Sequence, residues 1–314
     1  MTDKAPDIAW LSTRPEYWPP PLGGGELHGV ACLLFGVGTA GVGWLARLAC
    51  SGWFAGLEPR AGDIVAAGGL PHGGWAMPAS GASADEGDLL TAAEAFFTSA
   101  PLPSAWYAAV AIPRGAGPEE WSATLGLVGA LRERSDPLGR KLTVIATVDA
   151  APDLVSAPFV RRLLARGAFV VRADPDAPSA SGDHLHHFPL RAAVIPRQGQ
   201  LICVDLADYL HTWREGRIAH LHVVPFAWDD AELAMCGLPL PKVGGSARAL
   251  NIGFHLDPCA QGKPLVEIDR FSTRCRELFL PPEGDTVFAN TDRLDGKVGS
   301  ADLLVIYDGA TIDA

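Results

Sequence analysis

Residues Cys32–Cys50 read CLLFGVGTAGVGWLARLAC, an apolar run, then glycines at Gly36, Gly38, Gly41 and Gly43, then apolar residues at helical spacing. A run of this kind followed by a glycine turn and a helix is the opening of a β-α unit. The turn decides what the unit can do. Glycines there let a phosphate approach bare backbone N–H groups at a helix N-terminus, where the helix dipole favours negative charge. Nucleotide binding is chemically permitted, and tight packing of strand against helix accounts for the same glycines.

Two established uses of such turns can be compared with the surrounding residues. A phosphate loop needs a lysine followed by Ser or Thr directly after its glycines. No lysine occurs between Lys4 and Lys141, so that use is excluded. A dinucleotide fold needs an acid about 20 residues further on, at the end of the second strand, to hold a ribose. Glu58 has the spacing but precedes Pro59 in a loop. A dinucleotide-dependent oxidoreductase remains an alternative reading.

Outward from the turn, the element types alternate. RPEYWPPPLGGGE, Arg14–Glu26, cannot continue a helix or a central strand, so residues 1–27 form an arm whose Trp10, Tyr17 and Trp18 dock on the body or on a partner. A short strand is expected at Asp63–Ala67, a loop at His72–Gly87, a helix capped by Asp88, and a second apolar strand at WYAAVAI. GPEEWSATLGLVGALRERS then places Pro118, Glu119 and Glu120 in a helix's first turn and Arg132 and Arg134 in its last, in accord with the helix dipole. Strand KLTVIATVD, helix APFVRRLLARG closed by Gly167, and strand AFVVRAD complete a β-α series that implies a parallel sheet.

Between Asp174 and Gln200 the chain is rich in Pro, Ser and His, which marks a domain junction. Beyond it come helix DYLHTWREG, strand RIAHLHVVPFAW, helix DDAELAMCGL, strand ARALNIGFHL, helix PLVEIDRFSTRCREL, and strands TVFANTDR and DLLVIYDG. The fold class expected is α/β, with a Rossmann-like parallel-sheet domain over residues 28–200. A smaller α+β domain with a mixed sheet follows over 201–314.

The bulk properties narrow the partners. A chain of 314 residues, 48% hydrophobic, can bury two cores. A net charge of −11 with only 25 Lys and Arg argues against a broad grip on nucleic acid or anionic lipid. The opening MTDKAPDIAW lacks the features of a secretory signal, and no apolar run reaches the ~18 residues of a membrane span, so a cytoplasmic protein without membrane insertion is expected. The six cysteines show no C-x-x-C spacing and are expected as free thiols. Asp183, His184, His186 and His187 carry metal-ligating side chains, and His220 and His222 share one strand face, but solvated-loop and sheet-face roles are favoured and no metal site is expected.

The phrase GQLICVDLADYLHTWREGRIAHLHVV, Gly199–Val224, resembles the FtsZ branch of the tubulin superfamily, in which a phrase close to N-V-D-F-A-D-V leads into the second domain. FGVGTAGVGWLARL is similar to the FtsZ opening strand and loop, and NTDRLDGKVGSADLLVIYDG to its closing hairpin. The resemblance implies a tubulin/FtsZ-like fold with GTP or GDP on the first domain, cradled by Gly36, Gly38, Thr39, Gly41 and Gly43 and by Arg114, Gly115 and Gly117. It implies that Asp205 and Asp208 reach the γ-phosphate on a neighbouring subunit, so that hydrolysis is completed between subunits of a filament.

Several residues depart from the family pattern. Where FtsZ has a second glycine-rich phosphate loop, this chain has PRGAGPEEW, Pro113–Trp121; its prolines offer no N–H and its two glutamates would repel a triphosphate. Gly43 and Cys203 replace asparagines, and SGDHLHHFPLRAAVIPRQG replaces the long central helix that carries guanine contacts. The expected function is therefore a cytoskeletal or assembly-regulating protein that associates head to tail, as a homo-oligomer, a filament or with another FtsZ-like protein, with GTP binding and hydrolysis weak or absent. An active GTPase using Asp205 and Asp208 is the alternative. Tryptophans Trp44, Trp75 and Trp121 are expected to fill space left by a lost ligand. Ending near Ala314, the sequence shows no linker and terminal peptide for membrane tethering, which is not expected.

Overall fold

The computed structural model describes residues 30–38, 40–41, 43–44, 64–67, 104–149, 157–173, 185–186, 188–189, 206–225, 238–239, 247–255, 264–291 and 300–309. The chain divides into two compact units, Met1–Val170 and Val171–Ala314.

The first unit carries β1 (Val30–Gly36), β2 (Ile64–Ala67), β3 (Ala105–Ile112), α1 (Pro118–Arg132), β4 (Thr143–Val148) and α2 (Ala157–Ala165), with β5 (Phe169–Ala173) running through its boundary. The strand order is β2-β1-β3-β4-β5. β1 pairs in parallel with β2, Cys32 opposite Ile64, and with β3, Cys32 opposite Tyr107. β3 pairs in parallel with β4, Tyr107 opposite Thr143. Cys32–Phe35, Tyr107–Ile112 and Val144–Val148 are all buried, which is why these strands read as unbroken apolar runs rather than alternating ones.

α1 runs from Pro118 to Arg132, with the acids at its start and Arg132 in its last turn as the sequence predicts, whereas Arg134, expected in that turn, lies beyond the Glu133 C-cap. Every residue from Ala123 to Leu131 is buried, so this helix has no solvated stripe along its middle. Its small residues, Ala123, Gly126, Gly129 and Ala130, allow neighbours to approach from all sides. Trp121 stacks on Phe159 of α2 at 5.4 Å between ring centroids, which fixes the two helices against each other.

The second unit carries α3 (Leu206–Thr212), β6 (Arg217–Pro225), β7 (Ala249–His255), α4 (Pro264–Phe279), β8 (Asp285–Thr291) and β9 (Ser300–Asp308). The strand order is β6-β9-β7-β8. β9 lies antiparallel to β6 on one side and to β7 on the other, and β7 lies parallel to β8. The sheet is mixed, as expected, and β9 is buried from Ala301 to Tyr307.

The closing segment reads as a hairpin in the sequence, but β8 and β9 are not neighbours, because β7 separates them. The crossover through α4 lays β8 parallel on one edge of β7, leaving the other edge for β9. Neighbouring strands are about 4.8 Å apart, so Thr291 and Ser300, both opposite His255, lie only about 10 Å from each other. The helix read from Asp208 to Gly216 is also shorter and earlier, Leu206–Thr212; Gly216, at φ +72°, turns the chain into β6, where its carbonyl accepts the Gly309 N–H at 2.8 Å.

Cys32 and Cys275 are free and buried. Burial pushes the Cys32 thiol up to about 12 against the smaller opposing effect of a hydrogen bond with Tyr107, and burial alone raises Cys275 further. Both are therefore neutral thiols near pH 8, where an ordinary cysteine is partly thiolate. Site-resolved mass spectrometry after brief iodoacetamide treatment at that pH is expected to leave both unlabelled in the native protein and to label both in denaturant.

Candidate functional site

The glycine turn begins where β1 ends. Gly38 has φ +65°, and the backbone is helical at Gly38, Ala40, Gly41, Gly43 and Trp44, with the Gly41 N–H donating to the Val37 carbonyl at 3.2 Å. A Cβ on Gly36 would lie 2.5 Å from the Gly41 carbonyl oxygen, so the end of the strand and the first helical turn touch backbone to backbone. Only glycine at both positions permits that contact. Thr39 lies outside the described residues.

The second loop follows β3. Pro113 accepts from the Ala116 N–H at 3.1 Å, Gly115 takes φ +99°, and Gly117 caps α1 in an extended conformation. Glu120, in the third position of α1, reaches back so that its Oε2 accepts from the Gly117 N–H at 2.8 Å. Its Oε1 accepts from the Ala40 N–H at 3.2 Å, across 80 residues of sequence. A Cβ at Gly38 would fall on this carboxylate. One acid side chain thus joins the two loops that form the expected cradle.

The other donors of the second loop are few. Pro113 and Pro118 have no N–H, and the Ala116 and Gly117 N–H groups already have acceptors. Arg114, 74% exposed, turns its guanidinium to Asp149 at 3.4 Å, a pair worth at most about 1 kcal/mol at such exposure. The structure therefore brings Gly36, Gly38 and Gly41 together with Gly117 through Glu120, with Gly43 following in the helical backbone, while Arg114 and Gly115 form an exposed turn in the second loop. Trp121 is committed to Phe159 and Trp44 is buried, whereas Trp75 lies outside the described residues.

Asp208 is exposed in the first turn of α3, where its charge suits the helix dipole. Buried Tyr209 and Thr212 hold the helix down. Tyr209 packs on Trp213 at 5.2 Å, Trp213 meets Phe188 edge-on at 5.6 Å, and the Thr212 hydroxyl donates to the Tyr209 carbonyl while accepting from the Asn251 amide at 3.1 Å. Asp205 lies outside the described residues. Asp183, His184 and His187 do so too; His186 and His222 are buried, and the His220 ring leans on Tyr307 at 5.7 Å. Among the described residues no group of three or more His, Cys, Asp or Glu is placed to hold a metal.

No protein-family model matches the chain, and no curated protein matches it in sequence. Solved structures do match it. An FtsZ point mutant from M. jannaschii aligns at TM-score 0.56 and 13% identity, covering 90% of this chain and 91% of the other. An empty FtsZ dimer from M. jannaschii aligns at TM-score 0.59 and 13% identity, over 91% and 90%. CetZ2 from Haloferax volcanii, in a GTPγS-bound protofilament, aligns at TM-score 0.55 and 16% identity, over 88% and 92%.

The fold is that of FtsZ and tubulin. The glycine turn after β1 and the loop before α1 are the two segments to which the sequence resemblance assigns phosphate loops. Glu120 is the feature that sequence reading placed only in part. The stretch G-P-E-E signals a capping acid at the third helical position, but nothing local signals its reach to Ala40.

The glycines differ in what they tolerate. Gly38→Ala combines a left-handed backbone with a collision against Glu120 and is expected to cost about 2 kcal/mol or more. Gly117→Ala meets open space at φ −92° and is expected to cost less than about 1 kcal/mol. Denaturant melts of the two variants beside the parent protein check the order; equal losses would contradict it.

Proposed function

We propose that this chain is a cytoskeletal, FtsZ/tubulin-type assembly protein that associates head to tail with its own copies or with another FtsZ-like protein, binding GTP or GDP weakly or not at all. The observation that carries this reading is the makeup of the second loop, where Pro113, Pro118, Glu119 and Glu120 stand in place of oriented phosphate donors. A carboxylate about 4 Å from a phosphate charge costs about 1 kcal/mol at the dielectric of water and about 4 kcal/mol at that of a protein surface. A charge-assisted hydrogen bond from a backbone N–H returns about 1.5–3 kcal/mol. The few remaining donors leave no clear surplus for a ligand carrying several charges.

The assembly half of the reading is supported by the kinds of structure that the fold matches, an FtsZ dimer and a CetZ2 protofilament. Asp208 is exposed in the first turn of α3, and in this reading it lies at the contact with another copy. A head-to-tail contact of this kind propagates unless it closes into a ring.

The same exposed acid favours a second reading, a GTPase whose catalysis is completed between subunits by Asp205 and Asp208. The two are separable. The assembly reading expects concentration-dependent pelleting without nucleotide, unchanged by GTP or GDP, and labelled GTP that does not saturate below about 100 µM, where binding is worth only about 5.5 kcal/mol. Asp208→Lys is expected to raise the concentration needed for pelleting by about tenfold, equivalent to about 1.4 kcal/mol, with the melting temperature unchanged. GTP hydrolysis abolished by Asp208→Ala would establish the second reading instead. A strict monomer that also ignores other FtsZ-like proteins would refute the first.

A further inference from the structure

We propose that the Glu120 carboxylate is a built-in anion that clamps the glycine turn to the second loop and takes the position that a ligand phosphate would otherwise fill. The proposal rests on the FtsZ-type reading of the two loops. Two geometric facts carry it. Glu120 Oε1 and Oε2 each accept one backbone N–H, from Ala40 at 3.2 Å and from Gly117 at 2.8 Å, one donor from each loop. The carboxylate also fills the space beside Gly38 that any side chain there would need, so the turn is shaped around it.

Its charge is well placed for this. Glu120 lies in the first turn of α1 and faces the first helical turn after β1, so a single negative charge meets the positive ends of two runs of helical backbone. Bound phosphate uses the same chemistry, oxygen acceptors and negative charge directed at backbone N–H groups. A diphosphate or triphosphate would have to displace the carboxylate from both donors and then lie beside it. The clamp therefore makes the cradle self-sufficient and at the same time closes it to nucleotide.

A simpler role exists, since a glutamate at the third helical position caps its own helix by reaching back to the residue before it. That accounts for Oε2 and Gly117 but not for Oε1 and Ala40. Glutamine separates the two roles, because it caps as glutamate does while removing the charge. Alanine removes both.

The test is the melting temperature of the full chain, as wild type, Glu120→Gln and Glu120→Ala, in millimolar inorganic phosphate against chloride at matched ionic strength. Wild type is expected to show no difference between the two salts. Glu120→Ala is expected to melt about 4–8 °C lower in chloride and to recover about 2–4 °C in phosphate. Glu120→Gln is expected to respond to phosphate in the same direction, and it carries the comparison alone where the alanine variant does not fold. A wild type that gains as much from phosphate as the variants, or variants that gain nothing, overturns the clamp. Sedimentation of the same wild-type sample, alone and mixed with another FtsZ-like protein, reports separately on assembly: a monomer that also ignores that protein would remove the proposed function and leave the phosphate comparison standing.

Discussion

The contact between the backbones of Gly36 and Gly41 is the constraint on which the first unit is built. β1 is covered on both edges by β2 and β3 and buried along Cys32–Phe35, so its carboxyl end can continue only by folding directly back over itself into a helix. The space for that reversal is less than one methyl group wide, as the Cβ test at either glycine demonstrates. This places the Ala40 N–H at the carboxyl end of β1, beside the loop that leaves the neighbouring strand β3. Ligand sites of open parallel sheets form at this end of the strands.

Much of the first unit was legible because its signals are local. The apolar runs of β1, β3 and β4 are strands buried over Cys32–Phe35, Tyr107–Ile112 and Val144–Val148, and Pro118, Glu119, Glu120 and Arg132 mark both ends of α1. Each such signal acts within a few residues of where it is read. The order of strands in the second unit was less legible. Asp295 and Gly296, between two apolar runs, suggest a turn that pairs them, but strand neighbours depend on which edge of β7 remains open once α4 has carried the chain across. That is decided by packing, not by the connector.

The candidate site divides in the same way. Its glycines were visible as a pattern, and so were the prolines that remove N–H donors from the second loop and the acids beside them. The bond from Ala40 to Glu120 was not, because 80 residues separate donor and acceptor and no spacing rule spans such an interval. Asp208 shows an intermediate case. Buried Tyr209 and Thr212 anchor α3 and leave Asp208 exposed, although the helix reads from Asp208 in the sequence and starts two residues earlier in the structure.

The position of β9 has a consequence for how the protein is made. It pairs with β6 along Arg217–Pro225 and with β7 along Ala249–His255, yet it is synthesised after both. A nascent chain emerging from the ribosome thus presents two strands whose inner edges have no partner until Ser300–Asp308 appears and inserts between them. Until then the exposed edges are open to strands of other molecules. Assembly of this half of the protein has to wait for its last strand, a late non-local closure of the kind that slows folding and creates a need for chaperones.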